Sequence, residues 1–320
     1  MLYTHENLLR TAMTFASIDI GTNTVLLLVA RIDTTGAMTT LLHEQRIPRL
    51  GKGVDARNEL ADDAITRVIT VLTEYREIID STAVDRVVVC GTSAVREAAN
   101  RLQLVERVRR EAGFELEVLS GDEEALWAFR GALTGILQGS RCTVIDVGGG
   151  STEVSVGDRY SISERISMDI GSVRITERFF RHDPPTHAEL EAAIEVIEDN
   201  LQHAARFSFS GSTLVGVAGT ATTLAVLAQG LQTFDVRRVS NYRLTRERVE
   251  ELFRQLRAIP SEKIRGLSSV MEGRHDIITA GTLIVREIMA HFRFEDMVVS
   301  ERGLRYGLAL REWERARDGA

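Results

Sequence analysis

The sequence contains few of the residues that mark disulfide frameworks and flexible linkers. Its 320 residues include 2 cysteines and 4 prolines, and no stretch rich in proline, glycine and serine divides the chain. Cys90 and Cys142 stand in apolar runs without metal-ligand or redox spacing, so we expect reduced thiols in the core. The length exceeds that of most single cores. We therefore expect two domains joined by structured crossings, with a cleft between them.

A basic excess is also missing. The chain carries 46 acidic and 39 basic residues and a formal net charge of −7, which excludes the overall positive surface of a nucleic-acid-binding protein. An anionic ligand must therefore be held locally, by loops, helix N-termini and arginines.

Long hydrophobic segments are absent too. No apolar run approaches the roughly 20 residues that cross a bilayer, and residues 1–14 lack a basic segment followed by an apolar core and a cleavage site. We expect a cytoplasmic protein with no membrane and no nucleic-acid partner. The residues before Met13 carry no motif, and we expect a disordered extension or an upstream start there.

The residues that are present predict an α/β fold. Hydrophobic residues make up 44% and charged residues 27% of the chain, as in ordinary globular proteins. Apolar runs and helical periodicity predict strands at 15–20, 25–32, 39–46, 85–91, 115–119, 141–147, 153–156, 161–166, 213–218 and 297–300. They predict helices at 60–79, after 93, at 102–111, from 121, and at 187–206, 245–258, 276–291 and 303–314, with a loop at 219–222. This alternation predicts mainly parallel sheets.

One sequence pattern occurs twice, at the start of each half of the chain. In both copies a strand ends in an aspartate, Asp19 or Asp146, and is followed by a turn of glycine and hydroxyl residues. The turns are Gly21, Thr22, Asn23 and Thr24, and Gly148, Gly149, Gly150, Ser151 and Thr152. A single glycine turn is expected in any hairpin. Two facing turns, with backbone N–H groups and hydroxyls, would clamp a phosphate chain.

Acidic residues flank these turns. A hairpin would bring Asp146 and Glu153 to the same end of a sheet, where two carboxylates and substrate phosphate suit Mg²⁺. The alternative is that Glu153 is a surface strand residue and Asp146 braces the turn. Asp19 is the equivalent carboxylate of the first turn.

Two strand-to-helix junctions carry further candidates. After the strand at 85–91, hydroxyls including that of Ser93 are expected to cap a helix, and Arg96 offers a bidentate fork for a phosphoryl group. Glu123 and Glu124 lie in the first turn of another helix, where acids are also stabilised by the helix dipole alone.

Six segments in order resemble the exopolyphosphatase/guanosine-pentaphosphate phosphohydrolase (Ppx/GppA) family, in its short two-domain form. They are DIGTNT from Asp19, GTSAVREA from Gly91, GDEEA from Gly121, DVGGGSTE from Asp146, GVAGTATT from Gly216 and SERGLRYG from Ser300, and the similarity spans about 15–310. Longer members carry a further C-terminal helical region, beyond the point where this sequence ends. For the short form we expect shorter polyphosphates or nucleotides as substrates.

The resemblance implies an actin-like ATPase fold of two ribonuclease-H-like domains, residues 1–124 with 301–320 and residues 125–300. It implies Mg²⁺ or Mn²⁺ dependence, a homodimer and hydrolysis of terminal phosphoanhydrides. Glu124 matches the general base, with Glu123 still possible. Asp146 and Glu153 match metal-associated acids, the two turns match phosphate loops, and Arg96 matches a phosphate-binding arginine. Arg274 resembles a further phosphate contact, and Gly219 and Thr220 resemble an adenosine-side loop.

Four functions are consistent with these residues. The first is an exopolyphosphatase that releases orthophosphate from inorganic polyphosphate. The second is a guanosine-pentaphosphate phosphohydrolase, and the third is an ATP-using kinase of the same superfamily. The fourth is a nucleotide-sensing or polyphosphate-binding module without turnover.

Overall fold

Two β-sheets organise the chain in the computed structural model, which describes residues 12–135, 141–159 and 161–319. The prediction for the residues before Met13 therefore falls almost wholly outside the described part. The first sheet has the order β3-β2-β1-β4-β5 and the second the order β10-β11-β9-β6-β7-β8. The strands are β1 (Ala12–Ile20), β2 (Val25–Asp33), β3 (Met38–Arg46), β4 (Arg86–Gly91), β5 (Leu116–Val118), β6 (Cys142–Val147), β7 (Thr152–Gly157), β8 (Ile162–Met168), β9 (Thr213–Val217), β10 (Arg243–Thr245) and β11 (Asp296–Val299).

Helices cover these sheets and connect them. They are α1 (Val54–Arg57), α2 (Asp62–Asp80), α3 (Ser93–Glu97), α4 (Arg101–Arg107), α5 (Gly121–Leu133), α6 (Ser172–Phe179), α7 (His187–Leu201), α8 (Ala218–Ala228), α9 (Val236–Val239), α10 (Arg246–Leu256), α11 (Ser261–Arg265), α12 (Ile278–His291) and α13 (Leu304–Asp318). None of the helices in the described part of the chain is long and apolar enough to serve as a membrane span.

The two sheets repeat one topology. In the first sheet β1 pairs antiparallel with β2 and parallel with β4, and in the second sheet β6 pairs antiparallel with β7 and parallel with β9. A further antiparallel strand extends each hairpin: β3 pairs with β2 in the first sheet, and β8 pairs with β7 in the second. The prediction of mainly parallel sheets is wrong, because each hairpin turn sends the chain back along the strand that precedes it.

Each predicted strand and helix has a counterpart, with ends that differ by a few residues. The prediction of a loop at 219–222 is wrong, since α8 begins directly after β9. The residues of α8 are small and mostly apolar, without the polar face that marks a surface helix in a sequence. The helix has no such face because most of its sides are buried in the core of the second domain. Cys90 and Cys142 are buried and belong to no disulfide, which confirms the expected core thiols.

α5 and α13 lie between the two sheets. On α5, Ala128 packs with Leu308 of α13 against the first sheet, while Phe129 packs against β6 and β9 of the second. α13 also packs against β1 and β2 through its residue Tyr306. The boundary expected after Glu124 thus falls inside α5, a helix that contacts both halves.

Candidate active site

The two glycine turns have the same geometry. In the first, the Gly21 N–H donates to the Thr24 carbonyl oxygen at 2.9 Å, and in the second, the Gly148 N–H donates to the Ser151 carbonyl oxygen at 3.0 Å. Each turn follows the central strand of its sheet, β1 or β6. The topological match therefore extends to individual hydrogen bonds, and the two turns stand at equivalent points of the two domains.

The turns meet across the cleft. A Cβ placed on Gly149 would lie 2.9 Å from the Thr22 Cβ, and one placed on Gly150 would overlap the Ser93 hydroxyl of the other domain. Only glycine permits this approach at the second turn. Beside the contact lies a cavity of about 610 Å³. Its wall includes the predicted residues Asp19, Gly21, Thr22, Asn23, Thr24, Ser93, Glu124, Asp146, Gly148, Gly149, Gly150, Ser151, Gly219, Thr220 and Arg274.

Three further predicted residues lie next to this cavity. The Thr152 hydroxyl donates to the Ile170 carbonyl oxygen at 2.6 Å, so it braces the second turn from within the domain. Glu153 is 2% exposed and accepts a hydrogen bond from Ser167 at 2.6 Å. Arg96 pairs with Glu124 rather than pointing into open space. Thr152 and Glu153 therefore support the cavity from inside the second domain, and Arg96 holds the Glu124 side chain at the wall.

Acidic side chains concentrate at the cavity. Asp146 and Glu153 are direct partners in the β6–β7 register, as the hairpin pattern predicted. Burial raises the pKa of Asp19 to about 8 and that of Asp146 to about 7, and the charge of Glu124 adds to both shifts. The pKa of Glu153 also lies well above its usual range, because of burial and the same neighbouring charges. One carboxylate oxygen of Asp19 is buried without a hydrogen-bond partner.

The two adjacent glutamates in the first turn of α5 have different hydrogen-bond partners. Glu123 forms a capping box, in which its carboxylate accepts the Ser120 N–H at 2.9 Å. Glu124 is 8% exposed and accepts from Arg96 Nη1 at 2.9 Å. Burial raises the pKa of Glu124, while Arg96 and the Thr92 hydroxyl oppose that shift. The helix therefore directs Glu124 to the cavity and Glu123 to its own N-terminus.

The expected hydroxyl cap of α3 is wrong. The Thr92 side chain makes no capping bond there and bonds Glu124 instead, while the Ser93 hydroxyl donates to Glu97 at 2.8 Å. α3 is a single turn of five residues. The two hydroxyls therefore bind carboxylates, Thr92 that of Glu124 in the acidic site and Ser93 that of Glu97 one turn further along α3.

The second domain contributes the start of α8 and the Arg274 side chain. Arg274 is 9% exposed, and its Nη1 donates to the Gly219 carbonyl oxygen at 3.2 Å and to the Thr223 hydroxyl at 3.1 Å. Ala218, which the sequence did not single out, holds a left-handed φ of 63° where the chain turns from β9 into α8. That conformation is strained for alanine, and it lies where Ala218, Gly219 and Thr220 line the cavity.

Two further arginines were not predicted. Arg174 of α6 crosses the cleft, where it donates to the Gly150 carbonyl oxygen at 2.7 Å and pairs with Asp55 and Glu97 of the first domain. Arg305 of α13 lines the cavity. Arg305 belongs to the quoted segment SERGLRYG, so the signal was present, but a helical arginine is unremarkable in sequence.

The acidic wall fits a divalent cation. Mg²⁺ is held in proteins through one or two carboxylates, with water and phosphate oxygens completing its shell. The unpartnered oxygen of Asp19 and the neighbouring Asp146 provide such a pair. Across the residues that the structure describes, no group of three histidine, cysteine or acidic side chains is placed to hold a metal ion.

Known proteins resemble the chain over nearly its whole length. Exopolyphosphatase 2 of Mycobacterium tuberculosis is 35% identical over 310 residues, which cover 92% of this chain and 97% of that protein. The guanosine-5'-triphosphate,3'-diphosphate pyrophosphatase of Photobacterium profundum is 28% identical and matched over 58% of its length and 92% of this chain. The crystal structure of the Aquifex aeolicus Ppx/GppA family member superposes with a TM-score of 0.81 at 35% identity, covering 95% of this chain and 99% of that one.

The repeated sheets, the cleft between them and these relatives define a phosphoanhydride hydrolase with a two-sheet α/β fold. The chain belongs to the Ppx/GppA phosphatase family, whose model matches residues 28–316.

Proposed function

We propose that the protein is an exopolyphosphatase, which hydrolyses the terminal phosphoanhydride of inorganic polyphosphate and releases orthophosphate. The observation that carries this proposal is the position of Glu124, buried at the cavity wall beside two matching glycine turns. The N–H groups of those turns suit the oxygens of a terminal phosphoryl group. The polyphosphatase named among its relatives supports the same substrate class.

Glu124 acts as the general base in this proposal. It orients a water molecule for in-line attack on the terminal phosphorus and accepts its proton as the bridging bond breaks. Arg96 and Thr92 hold the carboxylate in place. Burial brings its pKa closer to neutral pH, where a base transfers protons most effectively.

Asp19 and Asp146 are the proposed ligands of Mg²⁺, or of Mn²⁺. When bound there, the cation neutralises nonbridging phosphate oxygens in the transition state. Glu153 lies opposite Asp146 in the β6–β7 pair, and Ser167 fixes its carboxyl group there. This arrangement explains why so many carboxylates lie together in a cleft for an anionic substrate.

A second candidate substrate is guanosine pentaphosphate. The observation that favours it is an apolar region of the cavity wall in the second domain, formed by Val226, Phe234, Val270, Ile277 and Ile278. Inorganic polyphosphate has no group that would use such a surface, whereas a nucleoside base does. A relative named for this nucleotide supports the same reading.

A substrate panel tests both proposals. Orthophosphate release is measured with one preparation on polyphosphates of several lengths, guanosine pentaphosphate and ATP, with Mg²⁺ or with a chelator. We expect the highest kcat/KM on polyphosphate, and no turnover after chelation. A preference for guanosine pentaphosphate would select the second candidate. Transfer of the ATP γ-phosphate to an acceptor would replace both with a kinase, and binding without any turnover would indicate a sensing module.

Two further properties remain part of the proposal. The cytoplasm is the compartment that two buried cysteine thiols outside any disulfide suit. A homodimer is implied by the family resemblance, and light scattering at several protein concentrations would measure it.

A further inference from the structure

Arg305 differs from the arginines near it because it forms no salt bridge with any described residue, although its charge acts on the nearby Asp19 carboxyl group. Arg302 pairs with Glu301 and donates to the Thr134 carbonyl oxygen at 3.0 Å, and Arg311 pairs with Glu117 at 2.7 Å. Within the described ranges, Arg305 has no ion pair. Its Nε is buried and has no hydrogen-bond partner. A buried donor on a charged group costs free energy when it has no hydrogen-bond acceptor. An anion that accepts a hydrogen bond from Nε would remove this cost.

The position of Arg305 is equally informative. It is the second residue of α13 and lines the cavity. The helix begins beside the acidic wall, since a Cβ on Gly303 would lie 4.0 Å from a carboxylate oxygen of Asp146. The guanidinium lies 5.5 Å from the centroid of the buried Tyr306 ring, which limits where it can move.

Arg305 and Arg274 line the same cavity, from different domains. Arg274 donates only to a carbonyl oxygen and a hydroxyl, and no carboxylate pairs with it in the part of the chain that the structure describes. The two positive charges repel, and this repulsion adds to burial in lowering the pKa of Arg274 to about 10. An anion bound between these two guanidiniums, which form no salt bridge in the described part of the chain, would reduce their repulsion.

We propose that Arg305 is a substrate-binding residue, which forms with Arg274 a two-arginine clamp on phosphoryl oxygens across the cleft. This inference rests on the proposed function and adds a residue from the first domain to its anion site. The planar guanidinium suits bidentate contact with phosphate. Because the two arginines come from different domains, a bound phosphoryl group links the domains and relieves their repulsion.

Tripolyphosphate binding tests the clamp separately from turnover. Affinity is measured calorimetrically with Mg²⁺ in the Glu124→Gln background, where turnover is slow, with and without Arg305→Gln. We expect Arg305→Gln to raise Kd by about tenfold or more, since charged hydrogen bonds are lost. In the otherwise native enzyme we expect KM for polyphosphate to rise by a similar factor with little change in kcat.

Arg315→Gln is the matched control, since this exposed arginine lies on the same helix and pairs with Glu312. It should leave Kd, KM and thermal unfolding unchanged. An unaltered Kd in Arg305→Gln would overturn the clamp. If the midpoint of thermal unfolding also fell, Arg305 would have a structural role instead. If Arg305→Gln does not fold, Arg305→Lys replaces it, and wild-type affinity there would contradict the bidentate contact.

A double-mutant cycle tests whether the two arginines share one ligand. Arg274→Gln, Arg305→Gln and the double variant are compared for tripolyphosphate affinity. A shared phosphoryl group predicts that the combined effect departs from the sum of the single effects. Additive effects would overturn the shared clamp. Absence of turnover on every substrate would reject the proposed hydrolase, yet the binding measurements would still decide the role of Arg305.

Discussion

At the scale of single residues, adjacent glutamates at the start of α5 have different environments. The sequence places Glu123 and Glu124 together but cannot choose between them, because both suit the first turn of a helix. The choice depends on helix phase, which the Ser120 cap fixes. The sequence did not identify Arg305 either, because its lack of a salt bridge to the described residues depends on how the chain folds around the cleft. The glycine turns and Asp146–Glu153 pairing, in contrast, follow directly from local hairpin geometry.

The first prediction concerns this pair of glutamates. Glu124→Gln should lower kcat for phosphate release by about 10²–10⁴-fold, because an amide cannot accept the proton of water. Its thermal midpoint should stay within about 3 °C of wild type, roughly the effect of 1 kcal/mol in a chain of this size. Glu123→Gln is the control and should retain wild-type kcat. Full activity in Glu124→Gln would remove it as the base.

The second prediction concerns stability against pH. In the folded protein Asp19 keeps its proton up to about pH 8 and Asp146 up to about pH 7, whereas both release it near pH 4 when unfolded. The folded state therefore binds more protons between those values, so the free energy of unfolding should fall as pH rises. Denaturant unfolding in the presence of a chelator measures this dependence from about pH 5.5 to pH 8. Ordinary carboxyl groups are already ionised in this range.

The control for the pH prediction is Asp19→Asn, which should flatten part of the decline. Added Mg²⁺ should restore stability at the upper pH, because a cation favours ionised carboxylates. Stability that rises across this range in wild type would contradict the raised pKa values.

At the scale of elements, the crossing of α5 and α13 links the base to Arg305. A Cβ on Gly307 would overlap the Trp127 carbonyl oxygen, and one on Gly131 would overlap the Gly303 carbonyl oxygen. The helices therefore pack backbone to backbone. The sequence predicted both helices from their periodicity, but not this contact, because small residues give no signal of what lies opposite them.

The third prediction follows from this crossing. Gly307→Ala should destabilise the protein by about 1–3 kcal/mol, the usual range for overpacking a core. It should also lower activity, since the shift displaces the helices that carry Glu124 and Arg305. Denaturant unfolding and phosphate release measure the two effects.

Gly266→Ala is the matched substitution for Gly307→Ala. Its Cβ would lie 3.5 Å from the Lys263 carbonyl oxygen, an ordinary contact, and the residue has a φ of −75°. We expect a change of less than about 0.5 kcal/mol there. Equal stability of the two variants would show that the α5–α13 contact tolerates separation.

At the scale of the whole molecule, ionic contacts hold the two domains around the cleft. Asp55 of α1 pairs with Arg174 and Arg178 of α6. Elsewhere Arg49 binds Asp276 through two hydrogen bonds, of 2.7 and 3.0 Å. The repeated topology could be predicted from the duplicated turn, but these pairs could not, since they join residues distant in sequence and depend on how the domains face each other.

The fourth prediction concerns these contacts. Asp55→Asn should lower the free energy of unfolding by about 1–3 kcal/mol, less than for an isolated buried pair because Glu97 still binds Arg174. It should also open the cleft, which small-angle scattering would record as a larger radius of gyration. Asp63→Asn breaks the exposed Arg67–Asp63 pair and should cost under about 0.5 kcal/mol without changing the radius. Equal effects would argue against a role of Asp55 in closure.

The central claim is that water attacks the terminal phosphorus of a phosphoanhydride chain in this cleft. Hydrolysis of polyphosphate in ¹⁸O-labelled water tests it most directly, with mass spectrometry of the orthophosphate and electrophoresis of the remaining chains. The account predicts one ¹⁸O atom in each orthophosphate released and chains that shorten from their ends. Unlabelled orthophosphate, or chains cut internally, would contradict it.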